Sequence, residues 1–188
     1  MEYFISDTHA FHKNIAGPIV SDWDKGYRTY ADEFVMTKHI ADVINSHVDE
    51  NDTLYHLGDW SFGGKERVLE FRNMVRCRNI ILIYGNHDDN IRKYYRHLFT
   101  ETHSFLERRI NKQFIVMSHY AMRVWQKSHH GSWCLYGHSH GSLEDIGGKT
   151  IDIGWDVWKK PLSFNEVREI MASRPINFVD HHNEETAQ

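Results

Sequence analysis

The sequence predicts an α/β fold. Three observations carry that prediction: strand-length apolar segments alternate with segments of helical periodicity, polar residues follow each predicted strand at once, and a strand-rich second half ends in a capped helix.

Residues 1–6 (MEYFIS) read as a short strand running straight into Asp7. Over residues 31–48, Met36, Ile40, Val43, Ile44 and Val48 fall on one helical stripe. Asp32 and Glu33 make the first turn acidic, where the helix dipole favours negative charge. Residues 53–57 form a second strand ending at Gly58-Asp59, and Val68, Phe71 and Val75 at helical spacing predict a helix over 65–75. The run NIILIY at 79–84 is apolar from Ile80 on, as in a strand buried on both faces, and Gly85 closes it. Strand, helix, strand, helix, strand is the order in which open α/β sheets place ligands at the carboxyl ends of strands.

After a short helix predicted over 92–97 the pattern changes. Residues 104–110 and 113–118 flank Asn111-Lys112 as a hairpin, and 133–136 and 149–153 are further strands joined by a Gly-rich loop. Ser163 with Glu166 forms a capping box after Pro161 and opens a helix carrying Phe164, Val167, Ile170 and Met171. The polar residues 183–188 are expected to be a flexible tail, with His181 and His182 in solvent, so residues 1–188 read as a single domain.

Composition narrows the function. No apolar run approaches a membrane span, and residues 1–6 lack the basic start of an export signal, so the expectation is a cytoplasmic protein without a membrane partner. Cys77 and Cys134 are far apart and outside any C-x-x-C, which gives neither a disulfide framework nor a thiolate metal site. The net charge of −4 argues against a general duplex-DNA binder. That average conceals −7 over residues 1–64, +7 over 65–127 and −4 over 128–188. The basic middle third either attracts an anionic substrate or forms solvated faces. Fifteen histidines against two cysteines turn any metal chemistry toward imidazole and carboxylate.

Five segments share one grammar, an apolar strand followed at once by Asp, Asn or His. They are Ser6-Asp7-Thr8-His9, Gly58-Asp59, Gly85-Asn86-His87-Asp88, Ser118-His119 and Gly137-His138-Ser139-His140. In the D-x-H and H-x-H triplets the outer residues are expected on one face of an extended chain. Glycine ahead of a ligand lets backbone crowd around it. A lone histidine after a strand is usually a hydrogen-bonded loop residue; five such segments in order on one chain point to a shared crevice.

The ordered set D-x-H, G-D, G-N-H-D, H and G-H-x-H resembles that of the calcineurin-like metallophosphoesterases, over roughly residues 3–156. The opening YFISDTHAFHKNI is similar to a small bacterial and phage branch of that family. The resemblance implies a four-layer sandwich in which two mixed β-sheets are flanked by helices, with the metals at the strand ends. It implies that Asp7, His9 and His140 hold one divalent cation, that Asn86, His119 and His138 hold a second, and that Asp59 bridges them. The sulfur-free donor set suits Mn, Fe, Zn or Co without choosing among them; Mn²⁺ is the leading expectation, with Fe, Zn, Co or Ni as alternatives. By the same resemblance His87 protonates the leaving oxygen and Asp88 orients its ring.

The second motif departs from the G-D-x-x-D-R-G of many relatives, since here it runs Gly58-Asp59-Trp60-Ser61-Phe62-Gly63-Gly64. The missing arginine argues against the protein-phosphatase subclass, which grips a dianionic monoester, and favours a diester. The expected activity is therefore hydrolysis of a small nucleotide-type phosphodiester by metal-bound hydroxide. A nuclease on single-stranded nucleic acid, a phosphomonoesterase and a non-catalytic metal-binding scaffold are the alternatives. His12 either lines the substrate site, hydrogen-bonds a ligand or is a plain loop residue. Trp60 is the candidate for stacking a nucleobase, and Arg123 for meeting an anionic leaving group.

Overall fold

The computed structural model describes residues 1–17 and 28–179. The expected tail at 183–188 and the pair His181-His182 lie outside the described residues. Two mixed sheets face one another, flanked by helices. In the first, β1 (Glu2–Ile5), β2 (Thr53–His56), β3 (Asn79–Ile83) and β4 (Glu101–His103) are parallel neighbours, and β9 (Leu162–Ser163) pairs antiparallel with β1. In the second, β5 (Leu106–Ile110) and β6 (Gln113–Met117) form the expected hairpin, followed in parallel by β7 (Trp133–Tyr136) and β8 (Thr150–Asp152).

The helices connecting the parallel strands pack where their apolar stripes predict. In α2 (Glu33–His47), Met36, Ile40 and Ile44 are buried, and in α3 (Lys65–Met74) Val68 and Phe71. With Ile5, Leu54, Ile80 and Leu82 from the alternate face of the first sheet they form one core. The other strand face supplies Phe4, Tyr55, Ile81 and Ile83, which meet Ile115, Met117, Leu135 and Ile151 of the second sheet in a second core. Period-two alternation along β1 to β3 thus feeds both layers, which is why residues 80–83 are apolar throughout.

Capping chemistry sets the helix starts. Asp32 proves to be the N-cap of α2, its carboxylate accepting from the backbone N–H of Phe34 and Val35 at 2.9 and 2.7 Å. The Ser163–Glu166 box opens α5 (Phe164–Ala172), whose Phe164, Val167 and Met171 close the core between the sheets. Instead of a regular helix over 92–97, the chain makes a π turn at Ile91–Tyr95 and a 3-10 turn at Arg96–Leu98 before entering β4. Two short helices, α1 (Lys13–Ala16) and α4 (Trp155–Trp158), are additional. No described helix is long and apolar enough to cross a membrane.

The parallel topology brings the carboxyl ends of β1, β2, β3, β6 and β7 to one edge of the double sheet, and all five motif segments follow those ends. Phe71, fully buried 4.7 Å from the Trp60 ring, anchors α3 beneath that edge. Phe71→Ala is expected to lower unfolding free energy by about 3–5 kcal/mol through the cavity it leaves, read as a lower urea midpoint.

Candidate metal centre

Two groups of three ligand-type side chains converge at the common edge. Asp7, His9 and His140 form one, and Asp59, His119 and His138 the other; within each, one atom per residue lies within 4.8 Å of the others. Asp59 sits between them, with its Oδ2 3.3 Å from His9 Nε2 and 3.5 Å from His119 Nε2. Asn86 joins the second group, its Oδ1 lying 2.9 Å from His119 Nε2 and 3.0 Å from His138 Nδ1. The seven side chains expected to be ligands are thus together, and Asp59 stands between the two groups.

The backbone that delivers them differs from the expected extended triplets. Asp7, His9, Asp59, His138 and His140 all have φ between 45° and 69°, the left-handed region. Non-glycine residues there cost about 1–3 kcal/mol each, and such strain concentrates at functional sites. The strained turns are tied together: Asp7 N–H donates to the Gly58 carbonyl at 3.0 Å, and His9 N–H to that of Asp59 at 2.9 Å. Both oxygens of Asp7 accept from His138 N–H, at 3.1 and 2.9 Å, linking the two sheets. The expected backbone crowding is present. A Cβ on Gly85 would lie 2.2 Å from Asp59 Oδ1, and one on Gly137 2.0 Å from Ser6 Oγ.

Each buried imidazole is oriented by the nitrogen it turns away from the centre. His119 Nδ1 donates to the Leu57 carbonyl at 2.7 Å, leaving Nε2 directed at Asp59 and Asn86. His140 Nδ1 is 2.6 Å from Asp156 Oδ2. His9 Nδ1 is 3.2 Å from His12 Nδ1, which makes His12 a hydrogen-bond partner of a ligand. Such partners fix tautomer and ring orientation in metal sites. Asp156 is in turn gripped by the two-pronged guanidinium of Arg28, at 3.0 and 2.9 Å. Arg28 is 2% exposed and also donates to the carbonyls of Thr8 and Asp7, at 2.8 and 2.6 Å.

The charges show what the site lacks on its own. Burial pushes the Asp7 carboxyl up to about 7 and pulls His9 down to about 4. Asp59 is buried too, yet the facing imidazoles of His119 and His9 hold it well below the ordinary carboxylate range. Burial opposes protonation of His119, but the Asp59 carboxylate overrides it and raises the imidazole to about 9. His9 Nε2 is buried with no hydrogen-bond partner. A divalent cation satisfies that orphaned lone pair and the facing carboxylates together. Asp59 and Asn86 stand 2.9 to 3.5 Å from the neighbouring imidazole nitrogens, close enough for these side chains to hold a cation in common. The donor set fits a pair of divalent cations.

Three expectations are corrected in part or whole. Asp88 does not reach the His87 ring: its buried carboxylate accepts from the backbone N–H of Gly85, Asp59 and Trp60 at 2.8, 2.9 and 3.0 Å, locking two motif turns together. Trp60 is 0% exposed, wedged against His56, Phe71 and Phe99, so it belongs to the core and has no face for a nucleobase. Arg123 is exposed and lines a separate, largely apolar groove of about 520 Å³ with Tyr136, Leu143 and Ile146, in which no metal-ligand candidate takes part. His87 remains at the mouth of the centre. Its N–H donates to Asp59 Oδ1 at 3.0 Å, and its exposed ring lies 5.5 Å from that of His9.

Sequence reasoning missed Arg28 and Asp156. Arg28 precedes α2 with no motif around it, and Asp156 closes Gly154-Trp155-Asp156 just beyond β8. An acid after a strand end was the one available signal.

A model of the calcineurin-like phosphoesterase superfamily domain matches residues 3–153. No curated protein matches the sequence. Among solved structures, a protein of unknown function from Aquifex aeolicus aligns over 90% of this chain and 98% of its own, with a TM-score of 0.63 at 23% identity, which shows the shared fold. The phosphoesterase Yfce from E. coli aligns over 81% and 77% of the two chains (TM-score 0.45, 16% identity). The nuclease MPE from Pseudomonas putida aligns over 80% and 78% (TM-score 0.42, 16% identity).

Asp156→Asn is expected to weaken metal binding at the His140 group by about 10- to 100-fold, measured by calorimetric titration with Mn²⁺. Asp59→Asn is expected to weaken both sites together; retention of two metals per chain by elemental analysis would reject a shared carboxylate.

Proposed function

The chain belongs to the calcineurin-like phosphoesterase superfamily, and from that premise we propose a phosphodiesterase that uses two divalent cations, Mn²⁺ foremost, on a small nucleotide-type diester. The observation that carries the proposal is Asp59 Oδ2, set between His9 and His119 where one carboxylate serves both ligand groups. Two cations held by these residues would supply a water of lowered pKa and Lewis-acid stabilisation of the phosphoryl oxygens.

The chain's own residues position and protonate. Asp7, His9, Asn86, His119, His138 and His140 fix the ligand shell, and the Asp88 carboxylate ties the Gly85 turn to the Asp59 turn so that both keep register. His87, hinged to Asp59 through its backbone and free of burial, holds a proton at the mouth of the site for the departing alkoxide. His12 and Asp156 keep the rings of His9 and His140 turned inward.

Preference for a diester is supported by what Arg28 does. Its donors are taken by Asp156, Thr8 and Asp7, so the guanidinium offers no grip on a second phosphate charge. The basic middle third gives less support to a polynucleotide substrate than its net charge implies. Arg67, Arg78 and Arg108 pair with Glu70, Glu50 and Glu101, and Arg72 donates to three backbone carbonyls.

The test is a panel of cyclic nucleotides, dinucleotides, phosphomonoesters and single-stranded nucleic acid against the Mn²⁺-loaded protein. Diesters are expected to turn over fastest, with little dependence on salt. Preferred cleavage of single strands that collapses as salt rises would make it a nuclease, and no hydrolysis even of 4-nitrophenyl esters would return it to a metal-binding scaffold. His87→Ala is expected to keep its metals and lose turnover of unactivated diesters by about 10²- to 10⁴-fold. The loss should shrink with 4-nitrophenyl esters, whose leaving group needs no proton.

A further inference from the structure

A second concavity, of about 260 Å³, adjoins the metal centre on the His9 side. His12 is the partition: on one side its Nδ1 meets His9, and on the other its ring stacks on Phe62 at 4.0 Å and 14°. Phe62, whose ring also lies 5.2 Å from that of His87, is 39% exposed. Phe34, at the start of α2 and 49% exposed, lines the same concavity. Two large aromatic side chains left open in one pocket beside a reactive centre mark a binding surface.

The charges around it select the kind of occupant. The Arg67 guanidinium lies 4.5 Å from the centroid of Phe11 and 5.0 Å from that of Phe34, and its Nη1 is 2.5 Å from Glu70 Oε2. Lys13 and Glu33 line the same space with opposite charges. With the arginine already paired and the ammonium offset by a carboxylate, the pocket carries no surplus charge, and its aromatic surface is what distinguishes it. What the pocket offers is π surface stiffened by a cation, the means by which proteins hold a planar base.

We propose that the Phe34–Phe62 pocket is a base-binding subsite, taking the nucleobase of a nucleotide whose phosphate lies at the metal centre. The placement of the phosphate rests on the phosphodiesterase reading; the affinity for a base does not. Phe62, two residues beyond Trp60, and Phe34 then perform the stacking that the buried tryptophan has no room for.

Adenosine and ribose separate the two elements, because both lack phosphate and differ in the base. Calorimetric titration of the Mn²⁺-loaded full chain is expected to show adenosine binding and ribose failing to bind. Phe34→Ala, at a half-exposed position that leaves the core intact, should weaken adenosine by about 5- to 150-fold, the range for loss of one base-stacking contact. Phe34→Tyr should restore it. Equal affinity for adenosine and ribose, or adenosine binding untouched by Phe34→Ala, would overturn the subsite. Base binding without diester turnover would overturn the phosphodiesterase reading and leave the subsite standing, whereas turnover without base binding would do the reverse.

Discussion

The carboxylate of Asp59 holds the centre together, and most of the surrounding structure serves to keep it there. One oxygen faces two imidazoles from different sheets, and the other accepts the N–H of His87. Its own backbone is pinned on both sides, the N–H by Asp88 and the carbonyl by His9. Its left-handed φ of 58° allows no slack. Glycine at 85 is required because any side chain there would collide with this carboxylate, and Trp60 is buried because the residue after Asp59 turns straight back into the core.

Much of this was legible in the sequence, for identifiable reasons. Helical stripes at 36, 40 and 44 and at 68 and 71 are long-range consequences of burial, and burial is what apolar spacing reports. The ligand residues were legible because Asp, Asn and His immediately after apolar strands have few structural uses in such number. Turn geometry was not. The D-x-H triplet reads as extended, yet Asp7 and His9 are left-handed, a conformation that the packing of two sheets imposes and no local propensity records.

Partnerships between distant residues were equally hidden. Asp88 looked like the companion of its neighbour His87 and instead bonds to Asp59 and Trp60, 29 and 28 positions away. Arg28 and Asp156 are 128 residues apart and meet only once the strand order is set. Trp60 misled for a related reason: adjacency to a ligand in sequence says nothing about which way the next side chain points. Short strands such as β4 and β9 carried no periodic signal, being two or three residues long.

Neither sheet brings a complete ligand group. Asp7 and His9 follow a strand of the first sheet while His140 follows the second; Asp59 belongs to the first while His119 and His138 belong to the second. Cation binding at the centre would therefore be thermodynamically linked to docking of the two halves. A chain emerging from the ribosome would offer cations only partial chelates until residue 138 had appeared and the second sheet had closed on the first. A cation held by either group would therefore tie the two sheets together at one rim of the sandwich.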